Sequence, residues 1–123
     1  MGQKQQLLGQ RGEEHVVSLL RAKGLAVLAR NVRYYQQGEI DIIFLHDGVL
    51  VCLEVKTRLA ETVPYEEQIS RHKQRCLAKT AQWFLQKHAD LVGDVVVRFD
   101  VVFVQWHAER PRIRYLVDAF RVG

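Results

Sequence analysis

The segment that most constrains the fold is residues 38–58, GEIDIIFLHDGVLVCLEVKTR. Two apolar stretches flank an Asp-Gly dipeptide at 47–48, and this dipeptide between hydrophobic runs is a strong signal for a two-residue β-hairpin turn. The stretches also hold charged residues, Asp41 in the first and Glu54 and Lys56 in the second. Charges within a strand are costly unless something compensates them. The segment therefore predicts a hairpin and also a role for its charges.

The hairpin register follows from placing His46 opposite Val49 across the turn. Asp41 then lies opposite Glu54, and Glu39 lies opposite Lys56, with opposed Cβ atoms about 5 Å apart on one face. The other face is wholly apolar and is predicted to face the core; it carries Ile40, Ile42, Phe44, Val51, Leu53 and Val55. Carboxylates placed opposite one another share a proton, pair with a cation or bind a metal, and oxygen ligands suit a hard divalent ion.

The first predicted helix adds another acid to this end of the hairpin. Glu13 shares a helical stripe with Val16, Val17 and Leu20, so it is predicted to point toward the sheet. Four residues would then converge, and we take them as candidate catalytic residues: Glu13, Asp41, Glu54 and Lys56. The alternative is that these charges form a solvated sheet edge that stabilises the fold little.

The remaining pattern predicts one α/β domain over residues 1–123, in the order α-β-β-β-α-β-β. The expected helices cover 7–23 and 70–88, and the expected strands cover 25–33, 39–46, 49–57, 95–104 and 112–120. Ser70 is a predicted N-cap of the second helix. That helix is long enough to cross over to a parallel strand, so the chain predicts a mixed central sheet flanked by helices, in three layers or a two-layer variant.

The composition is that of a soluble, basic protein. The formal net charge is +4 and the pI is about 9.3, which permits a nucleic-acid partner without requiring one. Cys52 and Cys76 form no metal-binding or disulfide pattern and indicate reduced thiols. The N-terminal stretch lacks the apolar region of a signal peptide, and no apolar run is long enough to span a membrane. We therefore expect a cytoplasmic protein with no membrane partner.

Basic and aromatic residues provide candidate nucleic-acid contacts. The predicted contacts to phosphate are Arg58, Arg71, Lys73 and Arg75, of which Lys73 falls on the inward stripe of the second helix. The alternative is that these side chains form an ordinary solvated basic surface. Tyr34 and Tyr35 are able to stack on bases, although packing at the rim of the core is the favoured interpretation.

Two sets of motifs resemble known families. Asp41, twelve intervening residues and Glu54-Val55-Lys56 resemble the signature of PD-(D/E)xK nucleases, whose restriction-endonuclease-like core has the same element order; Ile40 stands where those nucleases usually have proline. More closely, the chain resembles the YraN family of small bacterial proteins, similar in core to archaeal-type Holliday-junction resolvases. The motifs that carry this resemblance are GEEHVVSLLRAKG, ARNVR, GEIDII, LEVKTR, SRHKQRCL, RFDVV and DAF, between residues 12 and 120.

The resemblance implies a Mg²⁺-dependent nuclease, with Mn²⁺ as a substitute, that acts on DNA rather than RNA and on branched or repair intermediates. Asp41 and Glu54 would be metal ligands together with the backbone carbonyl of Val55, and Lys56 would be the active-site lysine. Glu13 would be the first-helix acid, which either binds the metal directly or holds a metal-bound water. A homodimer would suit branched substrates. The alternative is a non-catalytic nucleic-acid-binding module that retains the nuclease fold.

Overall fold

A computed structural model describes residues 3–59 and 69–122, and its elements follow the predicted order closely. They are α1 (Gln3–Ala22), β1 (Ala26–Val32), β2 (Ile40–His46), β3 (Val49–Leu59), α2 (Arg71–Lys87), α3 (Ala89–Val92), β4 (Val96–His107) and β5 (Arg110–Phe120). Most boundaries lie within a few residues of the predicted ones. The short helix α3 was not predicted.

The five strands form one mixed sheet in the order β1-β2-β3-β4-β5. Strands β3 and β4 are parallel, and the other neighbouring pairs are antiparallel. The helix α2 lies between the parallel strands in sequence, so the predicted crossover is confirmed. Asp47 and Gly48 both have positive φ, at 49° and 76°, as the predicted two-residue turn requires.

Helices cover both faces of the sheet, so the architecture has three layers. The cluster under α1 contains Val16, Val17, Leu20, Ile42, Phe44, Val51, Leu53, Val102, Val104 and Trp106. The cluster under α2 contains Val32, Ile40, Ile43, Leu50, Cys52, Leu77, Ala81, Phe84 and Phe99. Alternate residues of β2 and β3 enter opposite clusters because successive side chains of a strand point to opposite faces.

One residue of β2 departs from this alternation. The hairpin register predicts Ile40 on the same face as Ile42 and Phe44, but Ile40 packs in the cluster under α2. The neighbouring backbone explains the change, since the carbonyl of Gly38 accepts a hydrogen bond from Thr80 Oγ1 on α2 at 2.9 Å. This contact draws the start of β2 toward α2.

Two local features set the positions of the helices relative to the sheet. A Cβ atom on Gly12 would lie 2.3 Å from Thr57 Oγ1, so only glycine allows α1 to approach β3 this closely. The predicted N-cap of α2 is confirmed, because Ser70 Oγ accepts a hydrogen bond from the Lys73 amide at 3.1 Å. Among the described residues, no helix has the length and apolar character needed to cross a membrane.

Candidate metal centre

Three carboxylates from different parts of the chain meet at one end of the sheet. Glu13 comes from α1, Glu39 from the segment before β2, and Asp41 from β2, and each offers an oxygen within 4.8 Å of the others. The predicted approach of Glu13 to Asp41 is therefore observed. Glu39 was not among the predicted catalytic residues, although its position two residues before Asp41 placed it on the same strand face.

Asp41 is held by the backbone of the neighbouring strand. Its Oδ2 accepts a hydrogen bond from the amide of Val55 at 2.7 Å. The residue pairs of the hairpin run from His46–Val49 only as far as Ile42–Leu53. The predicted pairings of Asp41 with Glu54 and of Glu39 with Lys56 are therefore wrong as ladder pairs, because the Asp41 carboxylate binds the Val55 amide.

The pKa values of two of these acids show that negative charge is poorly compensated here. Burial and the nearby charge of Glu54 raise the pKa of Asp41 to about 8, although the Val55 amide opposes the shift. Burial also raises the pKa of Glu13, against the effects of Asn31 and Arg30. Such a cluster either keeps a proton on one of its acids or, once the acids ionise, needs an added cation.

Glu54 contributes an oxygen that lacks a partner. Its side chain is only 11% exposed, and Lys73 Nζ lies 3.3 Å from Oε1. The other oxygen, Oε2, is buried and has no hydrogen-bond partner among the described residues. Buried polar atoms are nearly always paired, so this oxygen and the crowded acids beside Asp41 fit a hard divalent cation.

Lys56 does not neutralise the acids as the register predicted. It is half-buried, and the structure records no ion pair between it and any carboxylate of the described residues. Glu39 instead pairs with Arg33, and Glu54 pairs with Lys73 from α2. The catalytic role of Lys56 and the metal-binding role of the Val55 carbonyl remain predictions.

Asn31 also belongs to the site, although it was not among the predicted site residues. Its Nδ2 donates to Glu13 Oε1 at 3.0 Å and to Glu39 Oε1 at 2.8 Å, and so holds the two acids together. Asn31 has a φ of 51°, in the left-handed region that asparagine tolerates better than most residues. The sequence feature that could have identified it is an asparagine inside a predicted strand.

The four predicted phosphate contacts lie in different environments in the structure. Lys73 reaches the acidic site, as its inward position suggested, whereas Arg71 and Arg75 are exposed on α2. Arg58 is half-buried at the end of β3, where its Nη1 donates to the carbonyl of Thr57 at 2.9 Å. Lys73 is thus in contact with a candidate metal ligand, Glu54.

Comparison with known proteins gives a consistent family. Residues 12–104 match the family described as Uncharacterised protein family UPF0102. The chain is 34% identical to a UPF0102 protein from Syntrophotalea carbinolica over 94% of this chain and 92% of that protein. It is 38% identical to one from Symbiobacterium thermophilum, over 92% and 95% of the two chains. It is 40% identical to one from Persephonella marina, over 78% and 81%.

Proposed function

The chain belongs to the UPF0102 family, as its YraN-like motifs indicate, and we propose that it is a divalent-metal-dependent nuclease that hydrolyses phosphodiester bonds in DNA. Branched DNA and repair intermediates are the substrates to test first. The proposal adopts the restriction-endonuclease-like resemblance of Asp41, Glu54 and Lys56, and the parallel β3–β4 pairing with flanking helices is consistent with that core.

The observation that carries the proposal is a cluster of acids with too little positive charge around it. Glu13, Glu39 and Asp41 lie together, and Glu54 is close enough to help raise the pKa of Asp41. Glu13, Glu39 and Glu54 each lie near one basic side chain, whereas Asp41 is in no ion pair recorded among the described residues. A carboxylate with so little exposure and no cation partner is costly when it ionises. Perturbed acids in one place are typical of functional sites, and oxygen ligands with poor charge compensation suit Mg²⁺.

Each side chain of the site would have its own role in phosphodiester hydrolysis. A bound Mg²⁺ would stabilise charge on the phosphate and lower the pKa of a coordinated water. Asp41 and Glu54 would hold the ion, with the Val55 carbonyl as a third ligand. Glu13 and Glu39, tied together by Asn31, would complete the site directly or by binding the ion's waters. Lys56 would contact the scissile phosphate or orient the attacking water.

A cleavage screen tests this proposal. Purified protein is incubated with linear, flapped and four-way-junction DNA, and with matched RNA, in Mg²⁺, Mn²⁺ or EDTA. We expect cleavage of at least one DNA structure with either metal and none in EDTA. Glu54→Ala and Lys56→Ala should abolish cleavage while far-ultraviolet circular dichroism stays unchanged. Asp90→Ala, which removes an exposed acid on α3, is the matched control and should retain activity.

A different combination of results would favour the non-catalytic alternative. That module would bind DNA, cleave none of the panel and show no heat of Mg²⁺ binding that depends on Asp41 or Glu54. Cleavage that persists in Glu54→Ala at the wild-type rate would contradict the assignment of the site. Metal titration by calorimetry on wild-type and Glu54→Ala protein separates these outcomes.

A further inference from the structure

We propose that Tyr35 is a stacking platform for an unpaired base, so that the chain binds a single-stranded stretch of DNA beside its acidic site. This inference rests on the proposed function for its substrate and names the substrate class more closely. It uses the segment between β1 and β2, which connects the aromatic residues to Glu39.

Two aromatic rings, those of Trp83 and Tyr34, connect Tyr35 to the body of the protein. The ring of Tyr34 stacks on Trp83 of α2, with centroids 5.3 Å apart and an interplanar angle of 23°. The ring of Tyr35 meets Tyr34 edge-on, with centroids 4.8 Å apart. The inner rings are half-buried. Tyr35 therefore stands at the outer end of a packed aromatic column.

Tyr35 is displayed to solvent rather than folded into the core. It is 85% exposed, the largest exposed fraction among the large hydrophobic residues that the structure describes. Its φ is 51°, a conformation that bulky residues rarely adopt. A backbone held in this region by its surroundings is a reason to look for function. The wide face of an exposed tyrosine ring is the surface on which any base stacks.

Positive charge lies beside this aromatic column. The side chain of Arg33 is 72% exposed, and Lys87 Nζ lies 4.9 Å from the ring centre of Trp83. Cations near a stacking ring suit the phosphates of a bound strand. Arg33 also pairs with Glu39, which joins the column to the acid cluster. Tyr35 and Glu39 are four residues apart, so at most about 14 Å of chain separates them.

A nucleic acid fits this surface better than a protein partner does. Specific protein interfaces bury about 800 Å² on each side and centre on clustered apolar residues. Here a single exposed ring ends a column that carries Lys87 against Trp83, and its immediate neighbours Gln36 and Gln37 are polar. Stacking on a single ring with phosphate contacts beside it is the pattern of single-strand binding. In a duplex the bases are already stacked and are not available to the ring.

The test measures binding without metal, so that cleavage plays no part in the readout. An oligonucleotide duplex with a single-stranded overhang carries the fluorescent base 2-aminopurine in the overhang, and a fully paired duplex is the comparison. We expect wild-type protein in EDTA to bind the overhang more tightly and to quench its fluorescence. Tyr35→Asn removes the ring but suits the left-handed backbone. It should weaken overhang binding about ten- to a hundred-fold and abolish the quenching.

Two further variants make the result specific to the ring. Tyr35→Phe keeps the aromatic face and should retain both affinity and quenching. Leu91→Ala removes an exposed hydrophobic side chain on α3, which is 80% exposed, and should behave as wild type. Unchanged overhang affinity in Tyr35→Asn, or equal affinity for overhang and duplex in the wild type, would overturn the proposal and leave Tyr35 as a protein contact. Cleavage results from the nuclease screen decide the proposed function independently.

Discussion

Two aspartates in this sheet, the buried Asp100 and the partly buried Asp41, have opposite environments. Asp100 on β4 receives two hydrogen bonds from Arg98, one from Tyr115 and one from the amide of Asp118. Asp41 on β2 receives one recorded hydrogen bond, from the Val55 amide, and lies among other acids. The same residue type is thus surrounded by donors in one region and by carboxylates in the other.

The pKa values express this difference. Burial alone would raise the pKa of Asp100, but the hydrogen bonds from Arg98, Tyr115 and Asp118 hold it below its usual value. Burial raises the pKa of Asp41, and the charge of Glu54 adds to the shift. A fully paired charge fixes the position of β5 against β4. A poorly paired charge stabilises nothing by itself, so the comparison supports a structural role for Asp100 and is consistent with the functional role proposed for Asp41.

The largest expected effect is the difference in stability between the variants that neutralise Asp100 and Asp41. Asp100→Asn leaves Arg98 without its counter-charge in a buried network, and we expect it to lower the free energy of unfolding by about 3 kcal/mol or more. Asp41→Asn keeps an oxygen that accepts from the Val55 amide and removes repulsion. We expect unchanged or higher stability at pH 8.5 without divalent metal. Urea unfolding followed by circular dichroism measures both.

The comparison fails if the two variants are equally destabilised. Asp47→Asn, at the exposed hairpin turn, is a matched control because asparagine also suits its positive φ. It should change the free energy of unfolding by less than about 0.5 kcal/mol. Asp41→Asn protein should nevertheless lose metal-dependent cleavage, since neutralising a ligand weakens both metal binding and charge stabilisation.

The next largest effect is the pH dependence of stability without divalent metal. Asp41 has a folded pKa of about 8 against 3.8 in the unfolded chain, so the folded state binds more protons between these values. Its contribution to stability is therefore lost as pH rises from about 4 to about 8, with a slope of at most about 1.4 kcal/mol per pH unit. Asp41→Asn should flatten this decline in urea unfolding.

The contribution of Asp100 to stability should depend on pH in the opposite direction. Its folded pKa lies below the ordinary 3.8, so the unfolded chain binds more protons in acid. Its contribution is present above pH 4 and is lost as pH falls through the folded pKa. Asp100→Asn should flatten the decline below pH 4 and leave the decline between about pH 4 and about pH 8. A decline over that higher range that survives Asp41→Asn unchanged would show that another group causes it.

The hairpin and the element order could be predicted because local patterns determine them. The Asp-Gly turn fixed the register from His46–Val49 to Ile42–Leu53, and the apolar runs fixed the strands. The prediction failed beyond Ile42, where side chains replace strand pairing. The carboxylate of Asp41 binds a backbone amide, and Ile40 turns toward α2. The alternation of side chains along a strand does not predict when a side chain will take a backbone hydrogen bond in place of the neighbouring strand.

The site was predicted in part for the same reason. Glu13, Asp41 and Glu54 lie on periodic elements, so spacing gave their faces. The same spacing put Glu39 on the face of Asp41. The contribution of Asn31 depends on its left-handed backbone near the end of β1, which no period encodes. The partner of Glu54 comes from α2, distant in sequence, and required the tertiary structure.

The smallest expected effect concerns the cations of the two regions. Arg98 donates two hydrogen bonds to Asp100 and is fixed there. Among the described residues, Lys73 has one recorded ion pair, at 3.3 Å from Glu54, and its side chain is 38% exposed. A weak, exposed ion pair is worth at most about 1 kcal/mol. Lys73 should therefore compete with a divalent ion for Glu54 and yield to it.

Lys73→Gln should tighten Mg²⁺ binding by up to about five-fold, because the competing charge is removed from Glu54 while the helix N-terminus keeps its Ser70 cap. Isothermal calorimetry on metal-free protein at low salt measures the dissociation constant. Arg71→Gln is the matched control, since Arg71 is exposed on the same helical turn and should leave the affinity unchanged. The two variants lose the same formal charge, so a general electrostatic effect would shift both equally. Weaker Mg²⁺ binding in Lys73→Gln alone would mean that Lys73 positions Glu54 for the ion. The contrast with Arg98 would then disappear, because both cations would hold a carboxylate in place.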